Sequence, residues 1–156
     1  MDNFVVTITR SCGSGGSIIA NLLAKQLNIK VYDKELLKLA SDDSGINERL
    51  FAMVDEDTKK SILYKVSKRV YNGELIPPES NDFTSNDNLF NYQAKVLKEL
   101  AKENSYIVIG RGADYVLRDN KNVIKIFVHA NNEECILREM KRLGMKRKEA
   151  EEWINK

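Results

Sequence analysis

The chain has 156 residues, a length that fits a single domain with a sizeable hydrophobic core. Apolar residues make up 42% of the chain and charged residues 31%, as in ordinary soluble globular proteins. The formal net charge of +2 creates no strong field, so neither nucleic acid nor an anionic membrane surface is an expected partner.

Membrane and redox signals are absent from the sequence. No apolar run approaches the roughly 20 residues that a spanning helix needs, and a strand that begins at residue 4 leaves no room for a signal peptide. The two cysteines, Cys12 and Cys135, make neither a disulfide framework nor a metal-ligand spacing. These features are typical of a cytoplasmic protein.

The first predicted element is a strand that ends in a glycine-rich loop. Residues 4–9 are almost continuously apolar, as a parallel strand buried on both faces should be. The loop has glycines at three of four positions, Gly13, Gly15 and Gly16, and it opens into a helical pattern over residues 17–27. Because backbone N–H groups and a helix N-terminus meet there, we expect a nucleotide phosphate in this loop.

The loop matches the phosphate-binding pattern G-x-x-x-x-G-K-[ST] only in part. Gly15 takes the second glycine position and Ser17 the hydroxyl position, whereas Arg10 stands at the first glycine and Gly16 at the lysine. A glycine-rich turn between strand and helix that binds no ligand is the alternative interpretation.

A short second strand is predicted over residues 29–32, and Asp33 follows it. Strand, helix and strand in close succession predict parallel pairing. Ligands of such sheets gather beyond the carboxyl ends of the strands, so we expect Asp33 near the mouth of the loop. The alternative is that Asp33 only caps the next helix, residues 34–40.

Residues 41–90 are interpreted as a helical insert. A turn is expected at 41–45, amphipathic helices over 47–54 and 58–71, and a mobile loop or lid over 74–87, which contains Pro77-Pro78. A subdomain that closes on a substrate would lie here, although plain helical padding fits the composition equally well.

The third strand, residues 106–109, follows a long helix over 88–102 and runs into Gly110-Arg111-Gly112. An arginine at the carboxyl end of a buried strand offers a rigid fork for a phosphate or carboxylate. The alternative is a surface arginine paired with Asp114.

The fourth strand, residues 123–128, precedes His129, which we interpret as a strand-end residue rather than a catalyst. Asn131 or Asn132 should cap the next helix and Gly144 should end it. Arg138 and Arg142 share a face of that helix and would clamp phosphates only if they face the loop.

The final predicted helix, residues 146–156, has no cap at its end. Its apolar face consists of Ala150, Trp153 and Ile154. A fifth strand and a covering helix are expected next in this architecture. Either the chain continues, or the helix packs on a partner, which makes a homodimer an expectation.

Several segments together resemble the cytidylate kinase-like family, P-loop proteins related to nucleoside monophosphate kinases. The resemblance lies in Ile8-Thr9-Arg10, Gly13-Ser14-Gly15-Gly16, Val31 to Leu37, Ile109 to Asp114, and the spacing from Ala130 through Arg138 to Ala150. It implies a P-loop NTPase-like three-layer α/β sandwich, with a parallel sheet of four to five strands and helices on both faces. The chain would be one domain over 1–156. Within it, residues 41–90 would be an acceptor-side insert and residues 131–156 would be incomplete lid-side helices.

The resemblance also implies an activity and its residues. ATP with Mg²⁺ would donate its γ-phosphoryl group to a nucleoside monophosphate such as CMP or dCMP. Gly13, Ser14, Gly15, Gly16 and Ser17 would cradle the donor phosphates, with Ser17 near Mg²⁺. Asp33 would face the acceptor nucleotide, Arg111 would grip its phosphate, and Arg138 would neutralise the transferring group.

The chain departs from the family pattern at four places. Gly16 replaces the loop lysine, Gly112 replaces an aspartate for which Asp114 is the candidate substitute, and Cys135 replaces a lid arginine. A later aspartate and arginine of the lid are not in the sequence. Removal of one charge that clamps a phosphate lowers the rate of phosphoryl transfer by about a hundredfold.

Two hypotheses follow from these departures. Arg10 replaces the missing lysine from the other flank of the loop, or the chain is a nucleotide-binding module with weak or no catalysis. A structural domain with an empty loop is the third interpretation.

Overall fold

The computed structural model describes residues 3–57 and 74–155. The helix expected over residues 58–71 lies outside these residues. The described elements are, in chain order, β1 (Val5–Arg10), α1 (Gly16–Leu27), β2 (Lys30–Tyr32), α2 (Glu35–Ser44), α3 (Glu48–Asp57), α4 (Asn86–Glu103), β3 (Tyr106–Ile109), α5 (Ala113–Val116), β4 (Val123–Val128), α6 (Asn132–Leu143) and α7 (Arg147–Ile154).

The four strands form one parallel sheet in the order β2-β3-β1-β4. β1 lies in the middle, where Val5 is paired with Tyr106 on one side and with Val123 on the other. All strands therefore present their carboxyl ends at one edge, and the segments that follow β1, β2 and β3 start from that edge.

Hydrophobic cores cover both faces of the sheet, because successive side chains of a strand point to opposite faces. Val5 and Val108 belong to a core shared with α2, α3 and α4, whereas Ile8 and Ile107 belong to a second core with α1. The predicted three-layer α/β arrangement is confirmed.

α1 packs on the sheet through its smallest residues. Gly16, Ala20 and Ala24 are its buried positions, spaced four residues apart on one face. Ile18 and Leu22 are 57% and 60% exposed. The larger apolar residues that indicated the helix are therefore mostly outside the core.

Two expectations about the insert need correction. Residues 41–44 continue α2 rather than form a turn, and the Ser44 hydroxyl donates to the Ala40 carbonyl before Gly45 ends the helix in the left-handed conformation. The segment expected to be a mobile loop is fastened to α4, because the buried Asn88 amide donates to the Ile76 and Phe83 carbonyls and accepts from the Ile76 N–H.

Within the part of the chain that the structure describes, no helix has both the length and the apolar character that crossing a bilayer requires.

Candidate phosphate-binding site

The glycine-rich loop connects β1 to α1 through two residues in the left-handed conformation. Gly13 has φ +73° and Gly15, the residue before α1, has φ +87°. This conformation costs an L-residue about 1–2 kcal/mol and costs glycine nothing. The loop geometry thus requires glycine at these two positions.

Several amides of the loop have no backbone acceptor. The Ser14 N–H donates to Ser11, and the N–H groups of Ile18 and Ile19 both donate to Gly15. Among the described residues, no backbone carbonyl accepts from Gly15, Gly16 or Ser17, and no side chain caps the helix. The first turn of a helix leaves such donors for an anion, and the helix dipole favours one there.

α6 covers the loop and brings Arg138 onto it. A Cβ at Gly13 would lie 2.7 Å from the Cys135 carbonyl oxygen, so only glycine allows this approach. The Arg138 guanidinium donates to the Gly13 carbonyl, and its Cζ lies 3.4 Å from the position of a Cβ at Gly15. Arg138 therefore faces the loop, which was the condition for it to act as a phosphate clamp.

Arg10 lies across the other side of the loop. A Cβ at Gly16 would lie 2.8 Å from the Arg10 Cβ and 2.9 Å from its Cδ. The far end of the side chain reaches the turn after β3, where Nη1 is 3.3 Å from the position of a Cβ at Gly110. Arg10 thus fills the space beside the residue that takes the lysine position.

Asp33 and Arg111 form an ion pair between the ends of β2 and β3. Arg111 Nη2 lies 3.1 Å from Asp33 Oδ1, with 5% of the arginine side chain and 39% of the aspartate side chain exposed. Arg111 has φ +63° and stands between two left-handed glycines, so its backbone is strained where its guanidinium is buried.

Both alternatives for these residues are wrong. Arg111 is not a surface arginine paired with Asp114, because its side chain is nearly buried and contacts the carboxylate of Asp33. Asp33 is not simply a cap of α2, since no side chain caps that helix and the Asp33 carboxylate contacts Arg111 instead. Asp114 lies in the first turn of α5, half-buried.

An open cleft of about 1280 Å³ joins the loop, α6 and the end of β2. This is larger than the roughly 300–1,000 Å³ of a small-molecule pocket. Its lining comprises Arg10, Ser11, Cys12, Gly13, Gly15, Gly16, Ser17, Ile18, Asp33, Lys34, Glu134, Leu137, Arg138, Glu139, Lys141 and Arg142. Of the expected site residues, Ser14, Arg111 and Asp114 are not in this lining.

The sequence interpretation missed Glu139 as a site residue, and it gave Arg142 a role only on the condition that it faces the loop. Glu139 is 4% exposed, and its carboxylate accepts from Arg142 Nε at 3.1 Å and from Nη2 at 2.5 Å. These bonds raise the pKa of the Arg142 guanidinium. The glutamate-arginine spacing of three residues on α6 was a usable signal, because such pairs meet on a helix surface.

The described residues contain no cluster of three or more histidine, cysteine, aspartate or glutamate side chains able to hold a metal ion. Mg²⁺ in nucleotide sites is held by few protein groups together with substrate phosphates and water. Ser17 and Asp33 supply oxygen donors to one cleft, which fits that mode. His129 follows β4 and stacks on Phe127, outside the cleft lining.

The parallel sheet with helices on both faces and the glycine-rich loop that α6 covers define a three-layer α/β protein. The model of the cytidylate kinase-like family matches residues 5–156, and the chain belongs to that family.

Solved structures similar to the chain include an uncharacterized protein from Eubacterium ventriosum, at 24% identity and a TM-score of 0.66, over 98% of this chain and 70% of that one. TT1252 from Thermus thermophilus is 20% identical at a TM-score of 0.49, over 96% of this chain and 78% of its own. Shikimate kinase from Bacteroides thetaiotaomicron is 17% identical at a TM-score of 0.47, over 97% of this chain and 74% of its own. A search of curated proteins found no significant match.

Proposed function

We propose that the chain binds ATP with Mg²⁺ at the loop of residues 13–17 and transfers the γ-phosphoryl group to a nucleoside monophosphate. The observation that carries this proposal is the placement of loop amides without acceptors opposite Arg138, in a cleft that also contains Asp33. Phosphoryl transfer depends mainly on positioning and charge stabilisation, which backbone N–H groups and arginines supply.

In this reaction an oxygen of the acceptor phosphate attacks the γ-phosphorus. The bond from that phosphorus to the β–γ bridging oxygen breaks, and ADP leaves with the electron pair. The amides of Gly15, Gly16 and Ser17 hold the donor phosphates, Ser17 takes part in holding Mg²⁺, and Arg138 moves from the Gly13 carbonyl to the transferring group. Arg138 already lies against the loop, so this movement is short.

The acceptor enters from the side of β2 and β3. Arg111 is the expected contact for the acceptor phosphate, and because its side chain is 5% exposed and outside the cleft lining it would have to turn from Asp33 toward the cleft; Asp114 is the further acceptor-side candidate. The exposed part of the Asp33 carboxylate can accept from an exocyclic amine such as that of cytosine. This chemistry favours CMP or dCMP over UMP, and residues 41–90 would form the acceptor side of the site.

The test is incubation of the chain with ATP, Mg²⁺ and a panel of monophosphates that includes CMP, dCMP, UMP and AMP. We expect a diphosphate product with CMP or dCMP. Absence of product with every acceptor would contradict the proposed transfer.

A nucleotide-binding module without turnover is the second candidate function. It is favoured by the glycine at the lysine position and by the contact of Arg138 with a loop carbonyl. Thermal shift with ATP and Mg²⁺ separates this candidate from an empty loop, because ligand at a hundred times its Kd stabilises a protein by about 2.7 kcal/mol.

A homodimer remains a prediction. Its basis was the apolar face of the last helix, but Ala150 of α7 is buried and Trp153 and Ile154 are half-buried within the chain itself. Light scattering of the purified chain measures its oligomeric state.

A further inference from the structure

The backbone of Gly16 does not require glycine. Gly13 and Gly15 have φ of +73° and +87°, whereas Gly16 is an ordinary residue in the first turn of α1. A side chain at position 16 is therefore compatible with the backbone. The glycine at this position needs another explanation.

The neighbours of Gly16 supply that explanation. The three heavy atoms nearest to a Cβ at position 16 all belong to Arg10, at 2.8, 2.9 and 3.3 Å. Something must shift at separations below 3.0 Å, and the 2.8 Å contact is with the Cβ of Arg10, so a lysine at position 16 cannot coexist with Arg10 in its present place. The loop of this chain has its cation at position 10, at the end of β1, and none at position 16.

Arg10 is also placed to act as that cation. Its guanidinium lies between the loop and the turn after β3, since Nη1 is 3.3 Å from a Cβ position at Gly110. Within residues 3–57 and 74–155, no carboxylate forms an ion pair with Arg10. A cation in a cleft, with no carboxylate to neutralise it, attracts an anion.

We propose that Arg10 and Gly16 form a coupled pair in which Arg10 binds the donor phosphates in place of the loop lysine. This inference rests on the proposed binding of a nucleoside triphosphate at the loop. It adds that the positive charge comes from the strand side of the loop, and that position 16 is glycine because Arg10 needs the space.

The experiment is a double-mutant cycle with Mg²⁺-ATP binding measured by titration calorimetry. The four proteins are the unaltered chain, Arg10→Gly, Gly16→Lys and the double variant; glycine is used at position 10 because alanine would keep the Cβ that lies 2.8 Å from a Cβ at position 16. We expect Arg10→Gly to weaken binding about tenfold to a hundredfold, the loss of one charge-assisted contact. Gly16→Lys alone should also weaken binding, because the new side chain displaces Arg10. The double variant should regain most of the affinity, since the introduced lysine then has the room that Arg10 occupied.

Two further variants keep the test independent of folding defects. Arg10→Lys retains the charge and should bind better than Arg10→Gln, which does not. Arg49→Ala removes an exposed arginine of α3 outside the cleft lining and serves as the matched control. Circular-dichroism melts identify any variant that has lost the fold.

The outcomes separate the two proposals. If the unaltered chain does not bind Mg²⁺-ATP, the proposed function fails and this inference fails with it. If the unaltered chain binds while Arg10→Gly binds equally well, only the role of Arg10 is overturned. Additive losses in the double variant overturn the coupling of positions 10 and 16.

Discussion

At the scale of single residues, the ion pair of Asp33 and Arg111 joins the ends of β2 and β3 beside the cleft. A left-handed backbone at Arg111 costs free energy, and the structure holds it there with the guanidinium nearly buried against a carboxylate. Charged hydrogen bonds of this kind contribute more than surface ion pairs do. The pair therefore adds a side-chain link between the ends of two strands that are already paired in the sheet.

Replacement of Asp33 tests that link. Asp33→Ala should lower the free energy of unfolding by about 1–2 kcal/mol, because a nearly buried guanidinium loses a charged acceptor. Asp114→Ala removes a carboxylate from the same region without breaking this pair and should cost only a few tenths of a kcal/mol. Urea denaturation measures both. An equal or larger loss of unfolding free energy for Asp114→Ala would contradict the pairing of Arg111 with Asp33.

Gly13 tests the approach of α6 to the loop. Gly13→Ala should destabilise the fold both through its left-handed backbone and through the clash with the Cys135 carbonyl. Gly45 has the same φ of +73° with no atom within 4 Å of a Cβ, so Gly45→Ala carries the backbone cost alone. We expect the Gly13 variant to lose at least about 1 kcal/mol more in urea denaturation. Equal losses of unfolding free energy in the two variants would show that α6 shifts away from an alanine at position 13 without cost.

At the scale of elements, the sequence was sufficient for the strands and for most helix positions. β3 and β4 have the predicted bounds, because each is a short run of apolar and β-branched residues bounded by turns, interrupted in β4 only by Lys125. The buried face of α1 was not predictable in the same way. Its core contacts are made by Gly16, Ala20 and Ala24, and small residues give no hydrophobic signal even though they allow the helix to approach the sheet closely.

Contacts between residues that are far apart in the chain could likewise not be predicted from the sequence. Topology predicted that Asp33 and Arg111 share one edge of the sheet, but both their mutual contact and the position of Arg10 over Gly16 depend on side-chain directions. The resemblance to a family supplied the identities of the loop residues. It did not supply Glu139, which is the buried acceptor for Arg142.

α6 and α7 are joined by an ion pair whose pH dependence can be measured. Arg147 donates to Glu133 at 2.8 and 2.5 Å, and these bonds hold the pKa of Glu133 below its ordinary value. A depressed carboxyl pKa stabilises the fold above the unfolded-state pKa, and that contribution is lost as the pH falls through the folded-state pKa. The loss belongs to the acid range below about pH 4.5.

Glu133→Gln should therefore flatten the acid limb of the stability curve. The urea midpoint of the variant should fall less than that of the unaltered chain between about pH 7 and pH 3. Glu152→Gln changes an exposed glutamate of α7 that makes no ion pair in the described part of the chain, and it is the matched control. The same pH response in both variants would contradict a specific role for Glu133.

At the scale of the whole molecule, the cleft is assembled from three separate parts of the sheet edge. β1 supplies the loop and Arg10, β2 supplies Asp33, and α6 after β4 supplies Arg138 and Arg142. The loop and α6 are therefore already in contact through Arg138 and Gly13. Under the proposed function, nucleotide binding would exchange that contact for one with phosphate, which would link the position of α6 to occupancy of the loop.

If the proposed function holds, Arg138 and Arg142 should differ in what they contribute to this exchange. Arg138 lies on the loop, so Arg138→Ala should lower kcat for diphosphate formation by about a hundredfold or more while weakening Mg²⁺-ATP binding much less. Arg142 is held by Glu139, and Arg142→Ala should reduce kcat by a smaller factor. Steady-state kinetics with CMP as acceptor, beside calorimetric ATP affinities, separates the two effects. If Arg138→Ala instead weakens Mg²⁺-ATP binding and leaves kcat unchanged, its guanidinium serves binding of the ground state only, and the proposed movement from the Gly13 carbonyl to the transferring group is contradicted.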